Sequence, residues 1–420
     1  MNIQTLKGFR DFLPVEARKR QYVIGVLRRV FEKYGFEPLE TPALEYEEIL
    51  TGKYGEEGDK LMYRFEDNGK RRVAMRYDQT VPLSRVVAQY SRTMSENGTP
   101  LLPLPFKRYQ IQPVWRAENT QKGRFREFTQ CDIDTTGVNS ALADAEILAT
   151  VIESFQELGF ENFKILINDR ENLKFSDDKG ELDPDTNIKA IRSLDKLKKI
   201  GRDGVIEDLK NNGFTEQVAK IILETSETIR PTQRINEVLD ILEKFEIDKK
   251  YIEFSGTLAR GLDYYTGIIF ETEIEEYTAG AVCSGGRYDK LIGMFLGSDV
   301  PAIGCAFGFD RIIDAMNELK LFPDKSQNKS QVLVTIFSPE MTTASVKINT
   351  ILRKNGIKSE LWLDPNSKMD KQLKFADQKN IPYVVILGPN EAKENVVMLK
   401  NLKTREQKKV TLEQIAAELK

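Results

Sequence analysis

"PFKRYQIQPVWRAENTQKGRFREFTQCDIDTTG", Pro105 to Gly137, is the stretch on which the fold turns. Its flanks, PFKRYQIQPVWRAE and FREFTQCDIDTTG, are rich in aromatic and β-branched residues and read as two strands. NTQKGR between them is a charged, polar loop. Arginines mark the pair: Arg116 lies near the end of the first strand, Arg124 closes the loop and Arg126 stands at the start of the second. An arginine beside aromatics suits a planar, bidentate grip on phosphate or carboxylate, with stacking on the rings. Taken singly, each is as readily half of a buried ion pair. Arg76, Arg260, Arg287 and Arg311 bring the number in strand-rich sequence to seven. So many across neighbouring strands point to a polyphosphate site.

Outward from this hairpin the chain divides by texture. PVEARKRQYVIGVLRRVFEKYGF carries Val23, Val26, Leu27, Val30 and Phe31 at helical spacing, with Gly35 as its stop. FEPLETPALEYEEIL follows as an extended segment broken by Pro38 and Pro42. MYRFEDNGKRRVAMRYD reads as a hairpin turning at DNGK, and a helix runs from about Val81 to Tyr90. A helix over 141–158 and a strand at KILIND complete this part. Residues 171–250 lose strand formers and take on helical periods, which marks a helical insertion. Strands return in YIEFSGTLARGLDYYTGIIFETEIE, where RGLDYYTGIIFE (Arg260–Glu271) reads as one strand, and in AGAVCSGGRYDKLIG. After the linker FPDKSQNKS, three apolar strands alternate with helices and end in a hairpin and a closing helix. The expected architecture is α/β with an α+β core: an antiparallel-sheet body over 1–170 and 251–325, the insertion over 171–250, and an α/β domain with a largely parallel sheet over 331–420.

Composition narrows the chemistry. A chain of 420 residues, 40% hydrophobic and 30% charged, fits a soluble protein of two or three domains. No apolar run approaches a membrane span, and IPYVVIL suits one buried strand. MNIQTLKGFRDFLP has no signal-peptide core, so the cytoplasm is the default. Cys131, Cys283 and Cys305 are scattered, which argues against disulfides and cysteine zinc sites. There is no histidine, so His bases, triads and metal ligands are excluded. Net charge is −3, yet residues 331–420 hold 15 basic and 10 acidic side chains. That surplus suits either a polyanionic partner or a solvated lysine face.

Neither a Walker loop nor a GxGxxG after a strand is present, so a nucleotide would be held by arginines and magnesium on an antiparallel sheet. VWRAE, a charged loop and RFREF together resemble the second signature motif of class II aminoacyl-tRNA synthetases. GFGFDRI resembles the third, and YGFEPLETPALE, with Pro42, the first, which builds a dimer interface. ARGLDYYTG, SGGRYDKL and MRYDQTVPLSR narrow the resemblance to the histidyl-tRNA synthetase family. It extends over the whole chain, with residues 331–420 similar to the anticodon-binding domain.

The resemblance implies activation of histidine with ATP to histidyl-adenylate, then transfer to the 3′ end of tRNA(His). It places the catalytic arginines Arg116 and Arg260 on the α-phosphate, with Arg116 also reaching the histidine carboxylate. Arg124 and Arg311 would hold the γ-phosphate, Phe128 and Arg311 would pack on adenine, and Glu118 would meet its amine. Mg2+ would bridge the phosphates, with no dedicated metal site in the protein. Asp78, Thr80 and Gln130 would bind the α-amino group, and Asp134 and Tyr265 the imidazole. An ammonium needs acceptors, and an imidazole needs an acceptor at one nitrogen and an adaptable hydroxyl at the other. Gln121 and Lys122 would face the tRNA acceptor end. A homodimer with no membrane association is expected.

Asp78 and Asp134 stand where a glutamate is frequent in the family, and Asn119 where some members have an arginine. These departures put pocket geometry and acceptor-end contacts in question. Several positions read equally as structural. Tyr264 reads as core, since neighbouring strand residues face opposite ways. Asp263 reads as support for Arg260, Arg76 as a structural pair, and Gly285 and Gly286 as backbone requirements. The competing function is the non-catalytic, synthetase-like regulatory subunit of ATP phosphoribosyltransferase, which lacks the anticodon domain and relaxes the arginines. Another class II synthetase is the second competitor.

Overall fold

The computed structural model describes residues 3–120, 124–177, 180–260, 264–323 and 330–419. Two units emerge from packing: Met1–Asp11 with Arg20–Leu321, and Phe12–Lys19 with Phe322–Lys420.

Helix α1 (Pro14–Lys33) is divided between the two units at Lys19, and along the first run strands β1 (Glu37–Pro38) and β2 (Leu44–Tyr46), and helices α2 (Glu47–Leu50) and α3 (Gly55–Lys60). Next come β3 (Arg64–Glu66), β4 (Arg72–Met75), α4 (Thr80–Tyr90), β5 (Phe106–Trp115), β6 (Glu127–Thr136), α5 (Ala141–Glu157) and β7 (Phe163–Asp169). β8 (Ser176–Asp177), β9 (Gly180–Glu181) and helices α6 (Pro184–Leu194), α7 (Leu197–Asn211), α8 (Glu216–Thr228) and α9 (Gln233–Lys244) follow. β10 (Ile252–Phe254), β11 (Ile268–Ile274), β12 (Cys283–Arg287), α10 (Gly293–Leu296), β13 (Ala302–Phe307) and α11 (Phe309–Glu318) complete it.

Eight strands form the main sheet in the order β1-β5-β6-β13-β12-β11-β7-β10. Its six inner strands are antiparallel, and β1 and β10 add parallel at the edges. The opening hairpin is thus the β5–β6 ladder, in register from Phe106↔Thr136 to Trp115↔Glu127. One face of this ladder is apolar, with Tyr109, Ile133 and Cys131 buried. The other is polar and also buried: Arg108, Gln110, Gln130, Asp132 and Asp134. That polar floor is where the site lies.

The helical stretch behaves as its caps predict. Asp183 and Thr215 accept from the first turns of α6 and α8, and Pro184 opens α6. Gly201, at φ 69°, puts a kink inside α7 that a residue with a side chain would resist. Leu194, Val205, Leu209, Ile222 and Leu223 pack in one cluster with Tyr265 and Ile269, so these helices share a core with β11. α9 lies instead on α5, where Arg234 pairs with the buried Asp144 at 2.7 Å.

Two strand assignments change. The run from Arg260 becomes a strand only at Ile268, and the tyrosines before it lie outside the ladder. EYEEIL closes as the short helix α2, with Glu47 gripped by Arg64 and Arg72.

The second unit carries β14 (Val332–Val334), α12 (Thr342–Lys354), β15 (Ser359–Leu361), α13 (Met369–Gln378), β16 (Tyr383–Ile386), α14 (Pro389–Lys393), β17 (Val396–Asn401) and β18 (Gln407–Thr411). Its order is β15-β14-β16-β17-β18. β14 is buried on both faces, between two apolar clusters, as a central parallel strand must be. As expected, the three strands that alternate with helices, β15, β14 and β16, run parallel and the closing hairpin β17–β18 is antiparallel; β17 joins β16 antiparallel.

Candidate active site

Register across the main sheet lays out the site. Gln110, Asp132, Ala306, Ser284 and Glu271 form one row over five strands, and Arg108, Asp134, Gly304, Gly286 and Ile269 form the next. A cavity of about 510 Å³ opens above this floor. It is lined by Arg116, Glu118, Arg124, Phe128 and Arg311, by Asp78, Thr80, Gln130, Asp134 and Tyr265, and by Arg260. Sequence elements as far apart as Asp78 and Arg311 therefore meet in one place. Gln121, Lys122 and Asp263 lie outside the described residues.

At one end are the cations. The Arg116 guanidinium lies over the Tyr77 ring at 4.4 Å and the Phe128 ring at 5.2 Å, and its Nε donates to the Tyr77 carbonyl at 3.1 Å. Rings and a carbonyl thus fix its plane and leave its charge available. Arg260 donates from Nη1 to Glu271 at 3.1 Å and from Nη2 to Ser284 Oγ at 3.0 Å, both in the first row. Burial alone would pull this guanidinium down, but Tyr265, Glu271 and Asp195 together push it up, so it is a permanent cation. Arg311 donates to the Ala281 carbonyl at 2.7 Å, beside Gly280. Arg124 is the more exposed, 3.6 Å from Glu118.

At the other end are carboxylates. Asp78 sits ahead of α4, where its Oδ1 accepts from Val81 N at 3.1 Å and from Tyr54 Oη at 2.8 Å. The first bond satisfies an amide at the helix start. Asp134 accepts from the Tyr288 hydroxyl and pairs with Arg108 Nη2 at 2.6 Å. Burial raises Asp78, Asp132 and Asp134 above the usual carboxylate range, and Arg108 pulls each of them back. Burial also pushes the Tyr265 hydroxyl up to about 12, so it stays protonated near neutrality.

The glycines of the second row make this possible. A Cβ on Gly304 would stand 2.0 Å from Asp134 Oδ1, and one on Gly286 would stand 2.9 Å from the Tyr265 ring. Glycine there lets a carboxylate and a ring lie flat on the sheet. Tyr264 packs against two core clusters, in keeping with its expected role, and also lines the cavity as Tyr265 does, with ring centroids 4.9 Å apart. Because neither is in the strand, the alternation rule does not part them. Arg287 is structural, buried between Asp144 at 2.8 Å and Asp289 at 3.0 Å. Arg76 is structural too, bonded to the Thr41 and Pro113 carbonyls and to Gln112.

Sequence reasoning does not single out Arg108, Asp132, Tyr54, Ser284 or Glu271. A signal exists for three of them in the period-two polar pattern of β5 and β6, which carries Arg108 and Asp132, and of β11, which carries Glu271. Among the described residues no cluster of three or more Cys, Asp or Glu side chains is placed to ligate a metal ion. The carboxylates at the cationic end, Glu118, Glu271 and Asp310, already face arginines. Such a donor set fits a metal carried in on phosphates.

A family model described as histidyl-tRNA synthetase matches residues 8–312, and one described as an anticodon-binding domain matches residues 331–420. The chain is 39% identical to a histidine–tRNA ligase of Cytophaga hutchinsonii, over 98% of each chain. It is 40% identical to that of Gloeobacter violaceus, over 97% of this chain and 96% of that one. A solved histidyl-tRNA synthetase from Nostoc sp. superposes with a TM-score of 0.82 at 30% identity, covering 100% of this chain and 99% of the other.

Proposed function

The chain belongs to the histidyl-tRNA synthetase family, and we propose that in it Arg116 and Arg260 carry the chemical step. The reaction joins histidine and ATP as histidyl-adenylate with release of pyrophosphate, then transfers the histidyl group to the 3′ end of histidine tRNA. One observation supports the division of labour: cationic and carboxylate-rich ends share a single cavity.

In the first step a carboxylate oxygen of histidine attacks the α-phosphorus. Two anions must be held in line, and charge builds on the phosphate as pyrophosphate leaves. Arg116, stacked between aromatic rings, would hold the histidine carboxylate against the α-phosphate. Arg260, anchored by Glu271 and Ser284, would stabilise the same phosphate from the other wall. Both are ordered before substrate arrives, so little reorganisation is needed. Arg124 and Arg311 would take the γ-phosphate, Phe128 and Arg311 the adenine faces, and Glu118 its amine. Mg2+ would supply further charge neutralisation on the phosphates.

Histidine would set its α-amino group toward Asp78, Thr80 and Gln130 and its ring between Asp134 and Tyr265. Arg108 and Tyr288 keep Asp134 oriented. A protonated Tyr265 hydroxyl can donate to one ring nitrogen while Asp134 accepts from the other. A site left with unpaired buried polar groups by an apolar analogue rejects it strongly. Gln121 and Lys122 would meet the acceptor end.

Residues 1–170 and 251–325 would act as the catalytic domain, 171–250 as an insertion that clamps tRNA, and 331–420 as the anticodon reader. Exposed apolar side chains at Leu44, Tyr46, Phe65 and Met94 support a homodimer built near the first motif. Among the described residues no helix is long and apolar enough to cross a membrane, and a cytoplasmic setting fits the role. Against the regulatory-subunit reading stand the anticodon-domain match over residues 331–420 and the arginines gathered in the cavity. The test is ATP–pyrophosphate exchange with each of the twenty amino acids. Exchange with histidine alone is expected; exchange with none, or with proline instead, would overturn the assignment.

A further inference from the structure

Among the described residues of the cavity wall, two buried acceptors have neither a hydrogen bond nor an ion pair: Oε1 of Gln130 and Oδ1 of Asp132. Asp132 is 2% exposed and Gln130 8%, so water does not satisfy them freely. They stand two residues apart on the same face of β6. Gln130 Nε2 donates to the other Asp132 oxygen at 3.0 Å. That bond turns the amide nitrogen toward Asp132 and leaves the amide oxygen without a donor.

Charge is unbalanced in the same place. Three carboxylates, Asp78, Asp132 and Asp134, repel one another across the pocket. The buried cation beneath them is Arg108, which serves Asp134 at 2.6 Å and stands 3.9 Å from Asp132. Arg116 acts on Asp78 from the cavity side. Asp132 is the least compensated of the three, and a buried unpaired acceptor is costly unless a ligand completes it.

Resting on the assignment of histidine as substrate, we propose that Asp132 is a further specificity residue, whose free oxygen accepts a hydrogen bond from the α-ammonium beside Gln130 and Asp78. The count of donors selects the ammonium over the ring. An ammonium offers three N–H donors and a positive charge, whereas a ring nitrogen offers one N–H. Two adjacent empty acceptors, one of them on the least compensated carboxylate, match the former. The ring has its own pair, Asp134 in the next row and Tyr265 beside it. Asp132 thereby checks that the substrate is an amino acid, while Asp134 and Tyr265 check which one it is.

Three ligands separate the roles: histidine, histidinol (ammonium without carboxylate) and imidazolepropionate (carboxylate without ammonium). Their binding to wild type and Asp132→Asn is measured by titration calorimetry. The variant is expected to lose about 10- to 100-fold for histidine and histidinol and to stay within about threefold for imidazolepropionate. Asp132→Ser, smaller than the native residue, should repeat the pattern if the Asn variant is insoluble. Equal losses for all three ligands would reduce Asp132 to a support for Arg108, and no loss would remove it from the site; either result overturns the proposal. Wild type that fails to bind histidine would instead overturn the substrate assignment.

Discussion

Arg260 is held by Glu271 at 3.1 Å, and the strand that carries Glu271 begins only at Ile268, further along the chain than Arg260 itself. The guanidinium is thus fixed from the sheet and not by its own backbone neighbours. Arg260→Ala is expected to lower histidine-dependent pyrophosphate exchange by about 10²- to 10³-fold, the usual effect of losing one preorganised charge-stabilising group. It also strands Glu271, at a cost of about 1–3 kcal/mol, discounted because both side chains keep some solvent contact. Arg260→Ala/Glu271→Gln should recover that stability in denaturant unfolding while exchange stays low. Recovery of exchange in the double variant would show that Arg260 only neutralises Glu271.

Gly304→Ala tests the flat floor. The new methyl would stand 2.0 Å from Asp134 Oδ1 and 2.6 Å from the Ile133 carbonyl, so the carboxylate must move. Overpacking of this kind costs about 1–3 kcal/mol. Steady-state kinetics should show the KM for histidine rising by about tenfold or more with the KM for ATP little changed, because the displaced group lies in the second row, whereas Arg260 is anchored on Glu271 and Ser284 in the first. Equal changes in both would mean the sheet had deformed as a whole.

The same floor shows what can be read in advance. The strand pair, its charged loop and the arginines at its mouth are legible because local composition and spacing carry them. So are Arg116, Arg260, Asp78 and Asp134 in the cavity lining, though only through likeness to a family. Asp132 escapes notice because alternation on β6 gives no sign of whether the polar face meets water or the protein's interior. Asp132 and Arg108 face inward, and only the neighbouring strands β13 and β12, contributed from far along the chain, reveal it. Tyr264 does pack against the core, but not for the reason alternation gives, since its segment is not a strand. The apolar runs of the second unit predict its central strand well, because burial on both faces leaves a continuous signal.

Leu194→Ala addresses the helical segment. Leu194 is 1% exposed and belongs to the cluster that also holds Tyr265 and Ile269. Truncation should cost about 2–5 kcal/mol as a buried cavity opens. If the helices support the pocket as well as bind tRNA, histidine affinity in calorimetry should fall alongside stability even without tRNA. Unchanged affinity would show that the helices do not support the pocket.

The buried carboxylates set a pH dependence whose sign is opposite to that of a surface ion pair. Burial raises Asp132 well above its value in the unfolded chain, with Asp134 and Asp78 adding to it and Arg108 opposing. Between the unfolded value, about 3.9, and the raised folded one, the native state holds more protons than the unfolded state. Asp132 therefore favours folding most below the unfolded value, and that contribution is lost as pH rises through the folded one. Asp132→Asn removes the titration while keeping the shape and the Gln130 contact. The variant should melt higher than wild type at about pH 8, and the difference should shrink toward zero at about pH 4. Thermal scans of ligand-free protein over that range check it. A variant less stable than wild type at the alkaline end would mean that the Arg108 attraction outweighs burial, and that Asp132 is ionised at no net cost. With saturating histidine the order at the alkaline end should reverse, because only wild type offers the ammonium its full set of acceptors.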